Sequence, residues 1–237
     1  VALVAYSGKL YRAGGFTARN QQGEKQDLFS TDEFASFDPQ TGNWTNYPPL
    51  PEPRSSHDMA ILGDTLYVVG GWSMQGNANK NHWHKTAWTY DLKRGTAGSW
   101  TEIPQPPSVR RALTLAAHAG KMYAIGGMEE TGSTTTETAV YNPVDRSWTY
   151  GPDLPGDDAD GFGASAFAVG GRLYVTGIAG KLYRLSEDGE NWEAAGDMLH
   201  KRFFHRMLPM HDGRLLLVGG SDKKRGKVRE LEILTTP

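Results

Sequence analysis

No cysteine occurs anywhere in the chain. That excludes disulfides and thiolate metal sites, and it leaves the compartment open, because chains without cysteine function on both sides of a membrane. No stretch approaches the roughly 20 consecutive apolar residues of a membrane-spanning helix. Neither sign of charge dominates. With 25 Lys and Arg against 27 Asp and Glu, the formal net charge of −2 supplies no basic field for a phosphate backbone, so nucleic acid is not an expected partner. Uninterrupted helical segments are scarce as well. The 29 Gly and 13 Pro, set among 7 Trp and 10 Tyr, favour many short strands joined by tight turns.

What the chain does contain is repetition. An apolar strand ending in a glycine pair recurs as Leu10-Tyr11-Arg12-Ala13-Gly14-Gly15, Leu66 to Gly71, Met122 to Gly127 and Leu215 to Gly220, with a degenerate copy at Leu173 to Ile178. A lone Trp follows in four of these units, at Trp44, Trp100, Trp148 and Trp192. The interval from each Trp to the next first glycine (44 to 70, 100 to 126, 148 to 177, 192 to 219) is nearly constant. The interval from glycine to Trp is not, so the length variation sits between those markers.

Alternating segments such as Ala87-Trp88-Thr89-Tyr90-Asp91 and Thr138-Ala139-Val140-Tyr141-Asn142 fill the space between glycine pair and Trp. Each unit therefore reads as four strands: a, ahead of a tight Gly turn such as Gly63-Asp64; b, ending at the glycine pair; c, carrying an aromatic and then Asp or Asn; and d, carrying the Trp. Meanders of this kind at intervals of roughly 50 residues are the pattern of propeller blades.

The glycine pair, the Tyr-Asp-like pair, the spaced Trp and an Arg near the start of strand a together resemble the kelch repeat, over essentially the whole chain. The resemblance implies an all-β, kelch-type β-propeller with strand a innermost and Trp side chains packed between blades. About five four-stranded blades are represented in one domain, residues 1–237, with repeats at 1–52, 53–108, 109–156, 157–200 and 201–237. The first and last are expected to be incomplete. Strand c of the last repeat, Val228 to Leu234, has no Trp-bearing strand after it, so an upstream segment is expected to supply a missing strand or blade.

Antiparallel alternation places the b–c loops on the same face as the d-to-a links. The b–c loops vary most, Phe16 to Glu33, Trp72 to Lys85 and Met128 to Glu137, and variable loops on a rigid scaffold are where binding residues concentrate. Sixteen or seventeen residues before the first glycines, at the start of strand a, lie Arg54, Arg110 and Arg202, with Arg111 adjacent. A guanidinium fork there suits a carboxylate or phosphate, or alternatively pairs within the protein. The fourth repeat offers Asp160 instead. His57 and His205 complete the expected channel mouth, and Trp72 and Trp83 form a candidate stacking platform for a sugar ring or aromatic group.

His82 and His84 lie on one side of an extended segment, but two imidazoles without a nearby carboxylate make a poor site, so neither metal nor cofactor is expected. Two enzyme groups within the resemblance can be checked residue by residue. Copper radical oxidases need a Tyr crosslinked to Cys, which this chain cannot supply. The proposed iron triad of plant specifier proteins finds Glu193 and Asp197 here, but Lys201 at the third position, with His200 one residue short. The expected function is recognition of an unidentified protein or glycan, an anionic one where the arginines are used. The alternative is a cofactor-free sugar mutarotase of the sialic acid type, and no catalytic residues are assigned.

Overall fold

The computed structural model describes residues 2–76 and 80–236, grouped into two compact units, Val1–Arg111 and Ala112–Pro237. The first unit contains β1 (Ala2–Tyr6), β2 (Lys9–Ala13), β3 (Phe16–Ala18), β4 (Leu28–Ser30), β5 (Phe34–Asp38), β6 (Asn43–Asn46), β7 (Asp58–Leu62), β8 (Thr65–Val69), β9 (Trp72–Ser73), β10 (His82–Trp83), β11 (Ala87–Asp91), β12 (Trp100–Ile103) and β13 (Arg110–Arg111). Its two blades are antiparallel sheets in the orders β1-β2-β5-β6 and β7-β8-β11-β12.

The second unit continues with β14 (Thr114–His118), β15 (Lys121–Glu129), β16 (Thr134–Asn142), β17 (Ser147–Tyr150), β18 (Ser165–Val169), β19 (Arg172–Thr176), β20 (Lys181–Leu185), β21 (Trp192–Asp197), β22 (Phe203–Pro209), β23 (Leu215–Asp222), β24 (Gly226–Lys227) and β25 (Glu232–Leu234). Strands β14 to β17 form the third blade in sequence order, and β18 to β21 the fourth. In the fifth, β23 pairs with β22 on one side and with β24 and β25 on the other. Helical structure includes 3-10 turns at Leu92–Ala97 and Asp158–Gly161.

The four-strand reading of each repeat is thus realised in the first four blades. The first blade is fuller than its sequence suggests, because β1 pairs with β2 along its whole length, from Ala2 opposite Ala13 to Tyr6 opposite Lys9. The fifth has a, b and c strands, and no Trp-bearing fourth strand among the described residues. The third b–c loop is also shorter than expected. Gly127 pairs with Thr135 and Met128 with Thr134, so most of Met128 to Glu137 is ladder.

The b strands read as nearly continuous apolar runs because both of their faces are covered. In β19, Leu173 and Val175 pack with Ile125, Val140 and Leu154 of the third blade, while Tyr174 between them packs with Met207, Leu215 and Leu217 of the fifth. The repeated Tyr therefore marks the face turned toward the following blade. Two of the marker Trp residues tie blades together as expected: Trp100 Nε1 donates to the Pro48 carbonyl at 3.0 Å, and Trp192 Nε1 to that of Pro152 at 2.9 Å. Trp44 departs from the pattern. It is 54% exposed and lies against Phe37 and the Arg12 guanidinium.

The glycine pairs mark where one blade's strand b ends against the next blade's strand a. Gly14 and Gly15 have φ of 58° and 114°, and Gly15 N donates to the Arg54 carbonyl at 2.8 Å. A Cβ on Gly14 would lie 2.2 Å from that same oxygen. Gly126 meets the backbone of Gly161 in the same way, at 2.3 Å.

Replacing Gly14 with Ala therefore combines a left-handed backbone with a backbone clash. It should cost about 2–4 kcal/mol of unfolding free energy by urea denaturation. Gly63→Ala, also at positive φ but with open space around it, should cost only about 1–2 kcal/mol.

Candidate functional site

Arg54, Arg110 and Arg202 are at most 1% exposed. Arg54 Nη1 donates to the carbonyls of Gly70 and Thr86, both at 2.9 Å, while Nη2 reaches Thr86 Oγ1 at 2.6 Å and Glu52 Oε2 at 3.1 Å. Arg202 repeats the arrangement in the fifth blade. Its Nη1 donates to Gly219 O and Glu230 O, its Nε to His200 O, and its Nη2 to Glu232 Oε2 at 3.2 Å. In both, the guanidinium joins the end of strand b to the approach to strand c. That is the b–c end of the blade, away from the Gly63-Asp64 and Asp212-Gly213 turns. Burial pulls the Arg54 pKa down to about 10, against the opposing pull of Glu52, so the group remains a cation at neutral pH.

Asp160 does in the fourth blade with acceptors what arginine does with donors. Its Oδ1 accepts from Ala179 N at 2.8 Å, just past Gly177, and its Oδ2 from Asp157 N at 3.1 Å. The arginines, candidates for an anionic ligand on sequence grounds, and Asp160 thus direct these hydrogen bonds inside the protein.

His57 and His205 occupy equivalent places, three residues after Arg54 and Arg202. Gly71 and Gly220 press against their Cβ atoms, leaving 2.8 and 2.9 Å for an added glycine Cβ. His205 Nε2 lies 2.6 Å from Thr176 Oγ1. At the position of Thr176 the first blade has Ala13, and neither ring nitrogen of His57 finds a hydrogen-bond partner. Burial, reinforced by Arg202, depresses the His205 pKa to about 3, and burial beside Arg54 holds His57 well below its ordinary value.

The accessible features lie in the b–c loops of the first two blades, which fold into a single layer. Strands β3 and β4 form a hairpin, β9 pairs with β10, and the two hairpins are joined through Ser30 N to Met74 O and Gly76 N to Leu28 O, at 3.0 and 2.8 Å. The d-to-a link docks on the same layer, with Ser55 and Trp72 exchanging backbone hydrogen bonds of 2.9 and 3.0 Å. Trp72 and Trp83 stand opposite each other in register with ring centroids 5.6 Å apart. The Arg111 guanidinium covers both, at 4.3 Å from the Trp72 ring and 5.4 Å from that of Trp83. All three side chains are half-buried, and burial lowers the Arg111 pKa. Within the first unit, then, Trp72, Trp83 and Arg111 come together at the surface, while Arg54, His57 and Arg110 lie beneath it. Asp160, Arg202 and His205 belong to the second unit.

Sequence reasoning passed over Glu52, which reaches the His82-Trp83-His84 segment from 30 residues upstream. Its Oε2 accepts from Thr86 Oγ1 at 2.5 Å and sits 3.4 Å from His84 Nδ1. The signal was its place in the d-to-a link, Pro51-Glu52-Pro53-Arg54, which emerges on the same face as the b–c loops.

The buried guanidinium predicts that Arg54→Ala lowers stability by about 3–5 kcal/mol, measured by denaturant unfolding, because it removes the donor to two carbonyls and breaks the ion pair with Glu52. A ligand-contact arginine would instead leave stability within about 0.5 kcal/mol. The depressed His205 pKa makes stability pH-dependent in a definite direction. The unfolded chain takes up a proton near pH 6.5 and the folded one only near pH 3, so the neutral imidazole's contribution is complete above pH 6.5 and lost as pH falls toward 3. His205→Gln should remove up to about 1.4 kcal/mol per pH unit of that slope, read from unfolding curves across this window.

Comparison with known proteins adds the following. Residues 1–177 match the model of the KLHDC2/KLHL20/DRC7 Kelch-repeats domain. Kelch-like protein 36 of Rattus norvegicus is 26% identical over 209 residues, covering 86% of this chain and 33% of its own length. N-acetylneuraminate epimerase of Pasteurella multocida is 31% identical over 159 residues, covering 65% of this chain and 38% of the epimerase. The chain spans about a third of the length of the curated relatives it matches. The solved structure of YjhT superposes over 99% of this chain and 80% of its own, with a TM-score of 0.78 at 15% identity.

Proposed function

The chain belongs to the kelch-repeat family, and from that premise we propose that it is a recognition module whose binding surface is the joined b–c loop layer of the first two blades. The observation that carries this reading is the Trp72, Trp83 and Arg111 cluster. Two indoles held by paired backbone present apolar area with little rotamer entropy left to lose, and the guanidinium beside them adds a planar cation. Such a surface suits an extended protein segment or a glycan bearing an aromatic or anionic group. Kelch propellers are commonly protein-interaction modules, and fold alone does not separate binding from catalysis.

A second reading, sugar epimerisation or mutarotation, draws support from the similarity to the Pasteurella multocida epimerase. General acid–base chemistry requires a titratable group within reach of the substrate. Both carboxylate oxygens of Asp160 and the Nη atoms of Arg54 and Arg202 are already engaged within the chain, which favours recognition.

Panels of acidic and aromatic peptides and of sialylated glycans, immobilised and probed with the purified chain, test the proposal. Trp83→Ala should weaken a captured ligand by about 2 kcal/mol, roughly thirtyfold in Kd. A proton NMR time course on N-acetylneuraminate should show anomer equilibration no faster than buffer. Acceleration that survives loss of Trp83 would overturn recognition in favour of the enzyme.

A further inference from the structure

Among the described residues, one set of side chains brings three metal-ligating atoms together: Glu52, His82 and His84, each offering an atom within 4.8 Å of the others. The tautomer of His84 follows from its surroundings. Nε2 lies 3.0 Å from the Pro53 carbonyl, which can only accept, so Nε2 carries the proton and Nδ1 presents a lone pair. That lone pair faces Glu52 Oε2 at 3.4 Å. The imidazole is 3% exposed and its Nδ1 has no hydrogen-bond partner.

A carboxylate oxygen and an imidazole nitrogen thus face each other across this gap. A tetrahedral ion with bonds of about 2.0–2.1 Å holds its ligand atoms about 3.3–3.4 Å apart, the separation of Glu52 Oε2 and His84 Nδ1. His82 is exposed, with its ring 5.5 Å from that of His84. The bond from His84 Nε2 to a backbone carbonyl is the outer-shell contact that orients a metal-ligating histidine.

We propose that Glu52, His82 and His84 form a site for a borderline divalent transition ion such as Zn2+, with water completing its coordination. The ion joins the Pro-flanked d-to-a link to the b–c loop of the second blade. Arg54 donates to the same carboxylate and opposes cation binding, so the site loads reversibly rather than as an obligate structural centre. Its ligands do not include Trp72, Trp83 or Arg111, so it stands whether or not those residues bind a partner.

The test uses the full chain, free of any histidine tag and stripped with chelator, titrated with Zn2+ and separately with Co2+. One equivalent of Zn2+ by elemental analysis after gel filtration, a rise in Tm with added Zn2+, and the visible d–d bands of tetrahedral Co2+ are expected. His82→Ala, an exposed change that leaves the buried pair intact, should weaken Zn2+ binding at least tenfold without altering the metal-free Tm. Glu52→Gln should abolish the Co2+ bands. Failure to bind Zn2+, binding unchanged in His82→Ala, or octahedral Co2+ spectra alone would overturn the proposal.

Discussion

The junction between the glycine pair ending one strand b and the backbone entering the next strand a is the constraint on which the blades depend. At Gly14 the two backbones approach so closely that a single methyl group has no place, and Gly15 N closes a hydrogen bond to the Arg54 carbonyl across the contact. Because main chain meets main chain, the spacing between blades is set by atoms every residue has. Side-chain choice is then free elsewhere, provided the strand surfaces between blades remain apolar.

The buried arginines follow from that junction. Strand b passes through positive φ at Gly70 and Gly219, and an unpaired buried carbonyl there would be costly. Arg54 and Arg202 reach up from the start of strand a to satisfy them, along with the carbonyls of Thr86 and Glu230. A guanidinium suits the task because its donors diverge in a plane and can serve several carbonyls at once. In the fourth blade the exposed need is an N–H rather than a carbonyl, and Asp160 supplies an acceptor. One structural problem thus accounts for both signs of charge at equivalent positions.

With those charges committed to the frame, the surface chemistry passes to the loops. The first two b–c loops are long enough to form hairpins of their own, and their mutual pairing turns two separate excursions into one layer that holds Trp72 and Trp83 in register. The d-to-a link docking on that layer at Ser55 carries Glu52 to the His82 and His84 side of the same structure. The proposed recognition surface and the proposed ion site therefore draw on the same pairing, with residues from three repeats.

The sequence by itself determined the all-β class, the four-strand repeat, the turns and the face on which the variable loops emerge, because strand period, Gly conformation and antiparallel alternation are local or purely topological. It also marked Arg54, Arg202 and Asp160 as special, since they fall sixteen or seventeen residues before the first glycines. Only the tertiary structure decided what those residues do: spacing gives a side chain's position along a strand, whereas the carbonyls it meets belong to segments 16 to 32 residues away. The same holds for Trp44, half exposed where its counterparts Trp100 and Trp192 bond to a neighbouring blade, and for Glu52, whose approach to His84 needs two loops to fold onto each other. Those contacts depend on which segments become neighbours, and no local pattern carries that information.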